Sequence, residues 1–158
     1  MLQAEMRRKE RRIEQRRELE QILEQGDVLY LALARDDEPY LVPLNYGYDG
    51  QDIYFHGAAQ GLKMELLRRN PKVCFSVVVG MRIKPADKPC QWGVMGRSVV
   101  GFGRAVILDD EQEKIYALNQ ILSHYGGEGE PFGDKILAKT AVIRIQIDSL
   151  AGKAFSQQ

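Results

Sequence analysis

The chain has 158 residues, 44% hydrophobic and 28% charged, with 22 basic side chains balanced by 22 acidic ones. That length suits one domain able to bury a real core, and the even charge gives no overall pull toward nucleic acid or an acidic surface. No run approaches the ~20 apolar residues of a membrane span, and the charged N-terminus lacks the apolar stretch of an export signal. Two cysteines and two histidines make neither a disulfide framework nor a strong zinc pattern. Cys74 and Cys90 fit free thiols, so a reducing cytoplasm is the expected location.

"MRRKERRIEQRR", Met6 to Arg17, is mostly basic, but no aromatic side chains interleave for base stacking. It therefore predicts a solvated helical face, and nucleic acid is not expected as a partner. In "RRELEQILEQG" the residues Leu19, Ile22 and Leu23 recur at helical spacing, and Gly26 is expected to stop the helix in a left-handed conformation. Residues 1–26 thus form a basic helical extension ahead of a domain at 27–158.

"DVLYLALA" has the length and composition of a buried strand, "RDDEP" turns the chain, and "YLVPLNYGYDG" brings it back. Asp49-Gly50 predicts a hairpin into "QDIYFH". A short helix is expected from about Leu62 until Pro71 ends it, followed by the strand "KVCFSVVVG" and a polar loop from Met81 to Gly96. "RSVVGFGRAVILD" is long enough to bend, with Gly101 and Gly103 as sites for a bulge or a close approach.

Asp109 or Asp110 caps the next helix, whose stripe of Ile115, Leu118, Ile121, Leu122 and Tyr125 reads as core packing. "TAVIRIQID" alternates apolar and polar as a last strand. Six strands joined by hairpins, with no βαβ rhythm, predict a mainly β fold: an antiparallel six-stranded barrel with peripheral helices. "GFGRAV" lacks the third glycine and the strand-to-helix setting of a dinucleotide fingerprint.

Three places carry candidate chemistry. In "DIYFHGAAQGLKMELLRRNPKVCF" a titratable His56, bare backbone at Gly57 and Ala58, Gly61, and Lys63 at a helix start describe a small phosphate site. A plain loop with a solvent-facing lysine is the alternative. In "YLVPLNYGY" Pro43 cannot donate to a ladder, so it lies at an edge or bulge, where backbone at Leu44 and Asn45 could face a planar ligand; an edge-strand proline with no ligand is the alternative. In "CQWGVMGRSVVGFG" Arg97 and Ser98 offer phosphate donors at a strand start, and Trp92 offers a stacking platform or a hydrophobic anchor.

Taken together, "VPLNYGY", "IYFHGAAQGLKMELLRRNPKVCF" and "PCQWGVMGRSVVGFGRA" resemble the FMN-binding split barrels related to pyridoxamine 5′-phosphate oxidase. Within them the chain most resembles the 5-nitroimidazole-resistance branch, from about Asp27 to Lys153. The resemblance implies a six-stranded split barrel forming a homodimer, with FMN at the subunit interface. Pro43, Leu44 and Asn45 would lie along the isoalloxazine, and His56, Gly57 and Ala58 would edge the ring and ribityl chain. Gly61, Lys63, Arg97 and Ser98 would hold the phosphate, and Trp92 would reach the cofactor from its loop or from the partner chain. The substrate-binding arginine and histidine of the oxidase proper have no match near "AGKAFSQQ", so its substrate is not implied.

The activity implied is flavin-dependent reduction of small electron-poor aromatics such as 5-nitroimidazoles, with His56 as candidate proton donor or as a scaffold for its turn. A non-catalytic flavin-binding or redox-sensing protein is the competing class. A haem-binding split barrel would need His56 or His124 on iron, whereas His124, in "ILSHYGG", is placed to cap its helix.

Overall fold

A computed structural model describes residues 7–129 and 132–155. The first six residues of the basic extension and the last three of the chain lie outside the described residues. In chain order the strands are β1 (Arg12–Ile13), β2 (Leu29–Arg35), β3 (Glu38–Leu44), β4 (Gly47–Tyr48), β5 (Asp52–Ala58), β6 (Lys72–Lys84), β7 (Gly93–Leu108) and β8 (Thr140–Phe155). The helices are α1 (Arg16–Gln25), α2 (Leu62–Arg69), α3 (Glu111–His124) and α4 (Asp134–Lys139). The strands form one antiparallel sheet in the order β3-β2-β6-β7-β8-β5-β4, with β1 added to β8. The six long strands are those expected; β1 and β4 are two-residue additions. The architecture is an open, split barrel with peripheral helices.

Alternation decides which side faces in. β2 buries Leu29, Leu31 and Leu33 and turns Tyr30, Ala32 and Ala34 outward, so it is buried on one face only. With Ile53, Phe55, Phe75, Val77, Ile143 and Ile145 these leucines form the main core. α1 joins that core through Leu19, Ile22 and Leu23, the last two fully buried. Burying one such side chain is worth about 1.5–3 kcal/mol, which fixes this amphipathic helix to the barrel. Residue 26 lies between α1 and β2, and α1 shares the core of the strands that follow it.

A second, smaller core lies on the other face of β5 and β8. Tyr54, Leu108 and Val142 pack there against Ala117, Leu118 and Ile121 of α3 and Leu137 of α4. Successive β5 residues therefore serve different cores: Ile53 and Phe55 the barrel, Tyr54 the helical layer. Asp110, rather than Asp109, caps α3, its Oδ1 accepting the Glu113 N–H at 3.0 Å.

Several local expectations change. "YLVPLNYGY" is not one strand, because the chain breaks after Leu44 and β4 pairs with β5 while β3 ends the sheet at its opposite edge. Gly26 is extended, at φ −77°, and not left-handed. It is needed because a Cβ there would run into Val77 and the Tyr46 hydroxyl. The polar loop is shorter than expected, since β6 runs through Lys84 and β7 begins at Gly93. Gly101 and Gly103 behave as anticipated: a Cβ at Gly101 would strike the Phe75 ring, and the β7–β8 register shifts between Phe102 and Gly103. The Asp49-Gly50 turn also forms, with Asp49 Oδ1 accepting the Gln51 and Asp52 amides at 2.9 and 2.8 Å.

Candidate functional site

The end of β5 and the start of α2 build the site's charged part. His56, Gly57 and Ala58 pair with Val142, Ala141 and Thr140. Gly61 precedes α2 with φ 104°, a conformation that costs glycine little and that carries the chain sharply into the helix. The helix's first turn presents amides without intrahelical acceptors. From that turn Lys63 reaches back over β5, its Nζ 5.4 Å from the centre of the Phe55 ring. Among the described residues no carboxylate pairs with Lys63, and burial lowers its pKa below the ordinary lysine value. A half-buried cation with an aromatic face and no counter-charge is a ready partner for an anion.

His56 lies on the opposite face of β5 from Gly57, as strand alternation requires. Burial, and then the nearby Lys63 charge, lower its pKa below the usual imidazole value, so the neutral ring is favoured. His56 forms part of the wall of a cavity of about 360 Å³. Asn45 and Thr140 join it on the barrel side, while Leu118, Leu122 and Ile136 wall the helical side. Asn45 reaches this place because the chain leaves β3 there and crosses to β4.

Pro43 and Leu44 occupy the end of edge strand β3, opposite Tyr30 and Leu29. Pro43 is exposed and Leu44 half-buried. The edge position expected for Pro43 is the one found.

Arg97 and Ser98 are elsewhere. They pair with Ala154 and Lys153 of β8, whereas His56 pairs with Val142 of the same strand. At ~3.3 Å per residue that separation is about 40 Å of strand path. Arg97 Nη2 donates to Gln25 Oε1 at 3.2 Å. Trp92 is 57% exposed on the β6–β7 loop, its indole N–H donating to the Ala86 carbonyl at 2.7 Å. One chain thus brings together Asn45, His56, Gly57, Ala58, Gly61 and Lys63, and leaves Trp92, Arg97 and Ser98 at the far end of β7.

His124, the last residue of α3, turns its ring toward another segment. Its Nε2 lies 2.7 Å from the Gly26 carbonyl and its ring packs on Tyr46 at 4.4 Å. Next to it the Tyr125 hydroxyl accepts the Tyr46 N–H at 3.1 Å and donates to the Asp27 carbonyl at 2.8 Å. These contacts tie the end of α3 to the α1–β2 junction. Among the described residues no group of His, Cys, Asp and Glu is arranged to hold a metal ion, and no helix is long and apolar enough to cross a membrane.

The cavity's helical wall escaped the sequence reading. Leu122 and Tyr125, read there as core, line the cavity instead, and Tyr125 is 42% exposed. Ile136 and Phe132 carried only a weak signal, that of apolar residues in a polar segment.

Comparison with known proteins agrees with this fold. Over 66 residues the chain is 36% identical to an uncharacterised Rhizobium meliloti protein, covering 42% of this chain and 43% of that one, under half of that relative's length. A candidate 5-nitroimidazole antibiotic resistance protein from Bacteroides thetaiotaomicron superposes with TM-score 0.82 at 28% identity, over 91% of this chain and 86% of that chain. An FAD-binding protein from Mesorhizobium loti superposes with TM-score 0.66 at 28% identity, over 90% and 96%. The family described as pyridoxamine 5′-phosphate oxidase matches residues 15–154, through every helix and every strand but β1 and the final residue of β8, and the chain belongs to that family.

Proposed function

We propose that the protein is an FMN-dependent oxidoreductase that reduces small electron-poor aromatics, 5-nitroimidazoles among them. The observation that carries this reading is Lys63: a half-buried cation, unpaired by any carboxylate among the described residues, set beside amides at the start of α2 and across β5 from a cavity walled by His56 and Asn45. Lys63 and the Gly61 turn would hold the phosphate, Pro43, Leu44 and Asn45 would lie along the flavin ring, and His56, Gly57 and Ala58 would border it. The likeness to the nitroimidazole-resistance and FAD-binding structures supports the flavin.

The flavin, when bound, supplies the electrons. The chain's part is to orient it, exclude water and move a proton. His56 Nδ1 or Nε2 can deliver that proton to a substrate accepting electrons, and its lowered pKa makes the protonated ring a stronger acid. An anion on Lys63 would offset the ammonium charge that depresses His56, making the proton more available when the cofactor is in place.

Arg97, Ser98 and Trp92 join the same site in this reading only from a second protomer. The outer sheet face supports such a dimer: Tyr30 on β2, Leu41 on β3 and Val100 on β7, with β6 between β2 and β7, are 43%, 62% and 39% exposed. Free Cys74 and Cys90 suit a reducing cytoplasm.

The test is a spectrum followed by turnover. Purified protein titrated with FMN should show a bound flavin spectrum and then oxidise NADH or NADPH only when a 5-nitroimidazole is supplied. Flavin that binds and is never turned over by any donor would instead make the protein a flavin sensor, and a haem spectrum would overturn the flavin reading.

A further inference from the structure

The cavity beside His56 has features that a phosphate-bearing cofactor does not call for. No charged side chain lines it, and its helical wall is wholly apolar or aromatic: Leu118, Leu122, Tyr125, Phe132 and Ile136. The one nearby cation, Lys63, lies over the Phe55 ring, and Phe55 belongs to the barrel core while the cavity adjoins the helical one. β5 therefore separates the cation from the cavity. An anionic group placed in the cavity would give up water without a charged side chain at contact to replace it, which is costly. A neutral ring would meet no such penalty.

Size and opening point the same way. About 360 Å³ is near the lower end of small-molecule sites and suits one or two rings. Ile136 is 57% exposed and Tyr125 42% exposed, so the mouth is rimmed by apolar surface that a bound molecule would cover. Polar groups gather on the barrel side alone, from Asn45, His56 and Thr140. A ligand would enter with its apolar edge toward α3 and α4 and its acceptor group toward His56.

We propose that this cavity is the receiving site for an uncharged aromatic molecule of one or two rings bearing a hydrogen-bond acceptor, and that Leu118, Leu122 and Ile136 set the size it admits. Its redox consequence rests on the flavin reading above; the binding itself does not. It also divides the work of the site, with phosphate on the Lys63 side of β5 and neutral substrate on the α3 side.

Equilibrium dialysis tests this with nitrobenzene and 4-nitrobenzoate, on FMN-loaded and on flavin-free protein. Nitrobenzene should bind wild type at least tenfold more tightly than 4-nitrobenzoate. Ile136→Trp, at an exposed position that folding tolerates, should weaken nitrobenzene at least tenfold and leave FMN affinity unchanged. Ile136→Ala should shift preference at least threefold toward 1-nitronaphthalene. Equal binding of the charged and neutral probes would overturn the proposal, as would an Ile136→Trp variant that keeps nitrobenzene or loses FMN along with it. Failure of wild type to bind any flavin would sink the flavin reading alone, because dialysis on the flavin-free protein still decides the cavity.

Discussion

The Lys63 ammonium sits where a side chain at Gly57 would begin: a Cβ on Gly57 would stand 3.0 Å from Nζ. The missing side chain on β5 is what lets the cation settle against the strand. Gly57→Ala should therefore displace the amine, the flexible end of a side chain, with little strain on the backbone. The expected outcome is a Tm within about 2 °C of wild type, because the change is of order 0.5 kcal/mol or less. FMN should weaken about tenfold relative to riboflavin, which lacks the phosphate. Calorimetry with both ligands checks this, and equal loss for the two would show that the amine does not serve the phosphate.

Lys63 also has a stability signature. Burial lowers its pKa, so the folded chain disfavours the charged form. That penalty is present at neutral pH and fades only as pH rises toward the ordinary lysine value. Lys63→Met should raise the Tm of ligand-free protein by about 2 °C, the scale of a modest stabilising change in a chain this size. The same variant should lose discrimination between FMN and riboflavin. A lower Tm in the absence of ligand would mean that Lys63 is structural.

The distance between Lys63 and Arg97 along the sheet makes a sharp test of shared sites. Lys63→Ala and Arg97→Ala homodimers should each bind FMN weakly, by roughly 1.5–3 kcal/mol for a lost charged contact. Mixed dimers made by refolding the two together should regain one tight site, in which one protomer gives an intact Lys63 and its partner an intact Arg97. A titration of mixed dimers showing no tight site would place both residues in one chain's site, and an Arg97→Ala homodimer that binds FMN as wild type does would remove Arg97 from it.

His56 and His124 are the only histidines, so proton NMR resolves both. His56 should titrate below the ordinary imidazole value, because burial and then Lys63 disfavour its charge. Lys63→Met should raise it part of the way, since burial, the larger cause, remains. In the folded state the ring binds fewer protons than in the unfolded chain. Its contribution to stability is therefore present above pH ~6.5 and is lost as pH falls from there through the lowered folded value. His56→Gln should flatten that slope in urea titrations. An unchanged slope would show that the ring is not desolvated.

Tyr125 joins two segments through one hydroxyl, taking the Tyr46 N–H and giving to the Asp27 carbonyl. Tyr125→Phe leaves both backbone groups without this partner. A loss of about 1–2 kcal/mol is expected, or about 3–6 °C in Tm. Hydrogen exchange at the Tyr46 amide should rise in step. A Tm unchanged within 1 °C would mean that water replaces the hydroxyl at no cost.

How much of this was readable beforehand depends on whether the signal is local. The six long strands, the α2 start at Leu62 and the Asp49-Gly50 turn follow from alternation and turn chemistry within a few residues of each other. The edge position of β3 was legible too, because Pro43 cannot donate to a ladder; the pairing of β5 with β8 was not, because a ladder between distant segments leaves no mark in either one. Gly26 shows the limit well: a glycine after a helix suggests a left-handed cap, yet the reason for it is Val77, fifty-one residues on. At the site, Gly61 and Lys63 were legible as helix-start chemistry, and His56 as the titratable group beside them. The cavity wall was not, because Leu122 and Tyr125 continue the same helical stripe as Leu118 and Ile121, and only packing decides which of them meet protein and which meet open space.

The two ends of the sheet bear on how the protein behaves when concentrated. An exposed strand with free amides is a template on which another chain can add and aggregation can spread. At one end stands β4, only two residues long. At the other stands β3, where Pro39 and Pro43 face Ala34 and Tyr30 across the ladder and Leu41 faces Ala32 between them. Proline is tolerated there because its nitrogen points away from the ladder, toward the outside. Of those three outward positions, only Leu41 has an N–H to offer an incoming strand. The proline that marks a candidate ligand-binding strand thus also blocks edge-to-edge growth, and Pro39→Ala with Pro43→Ala would open that edge to strand addition.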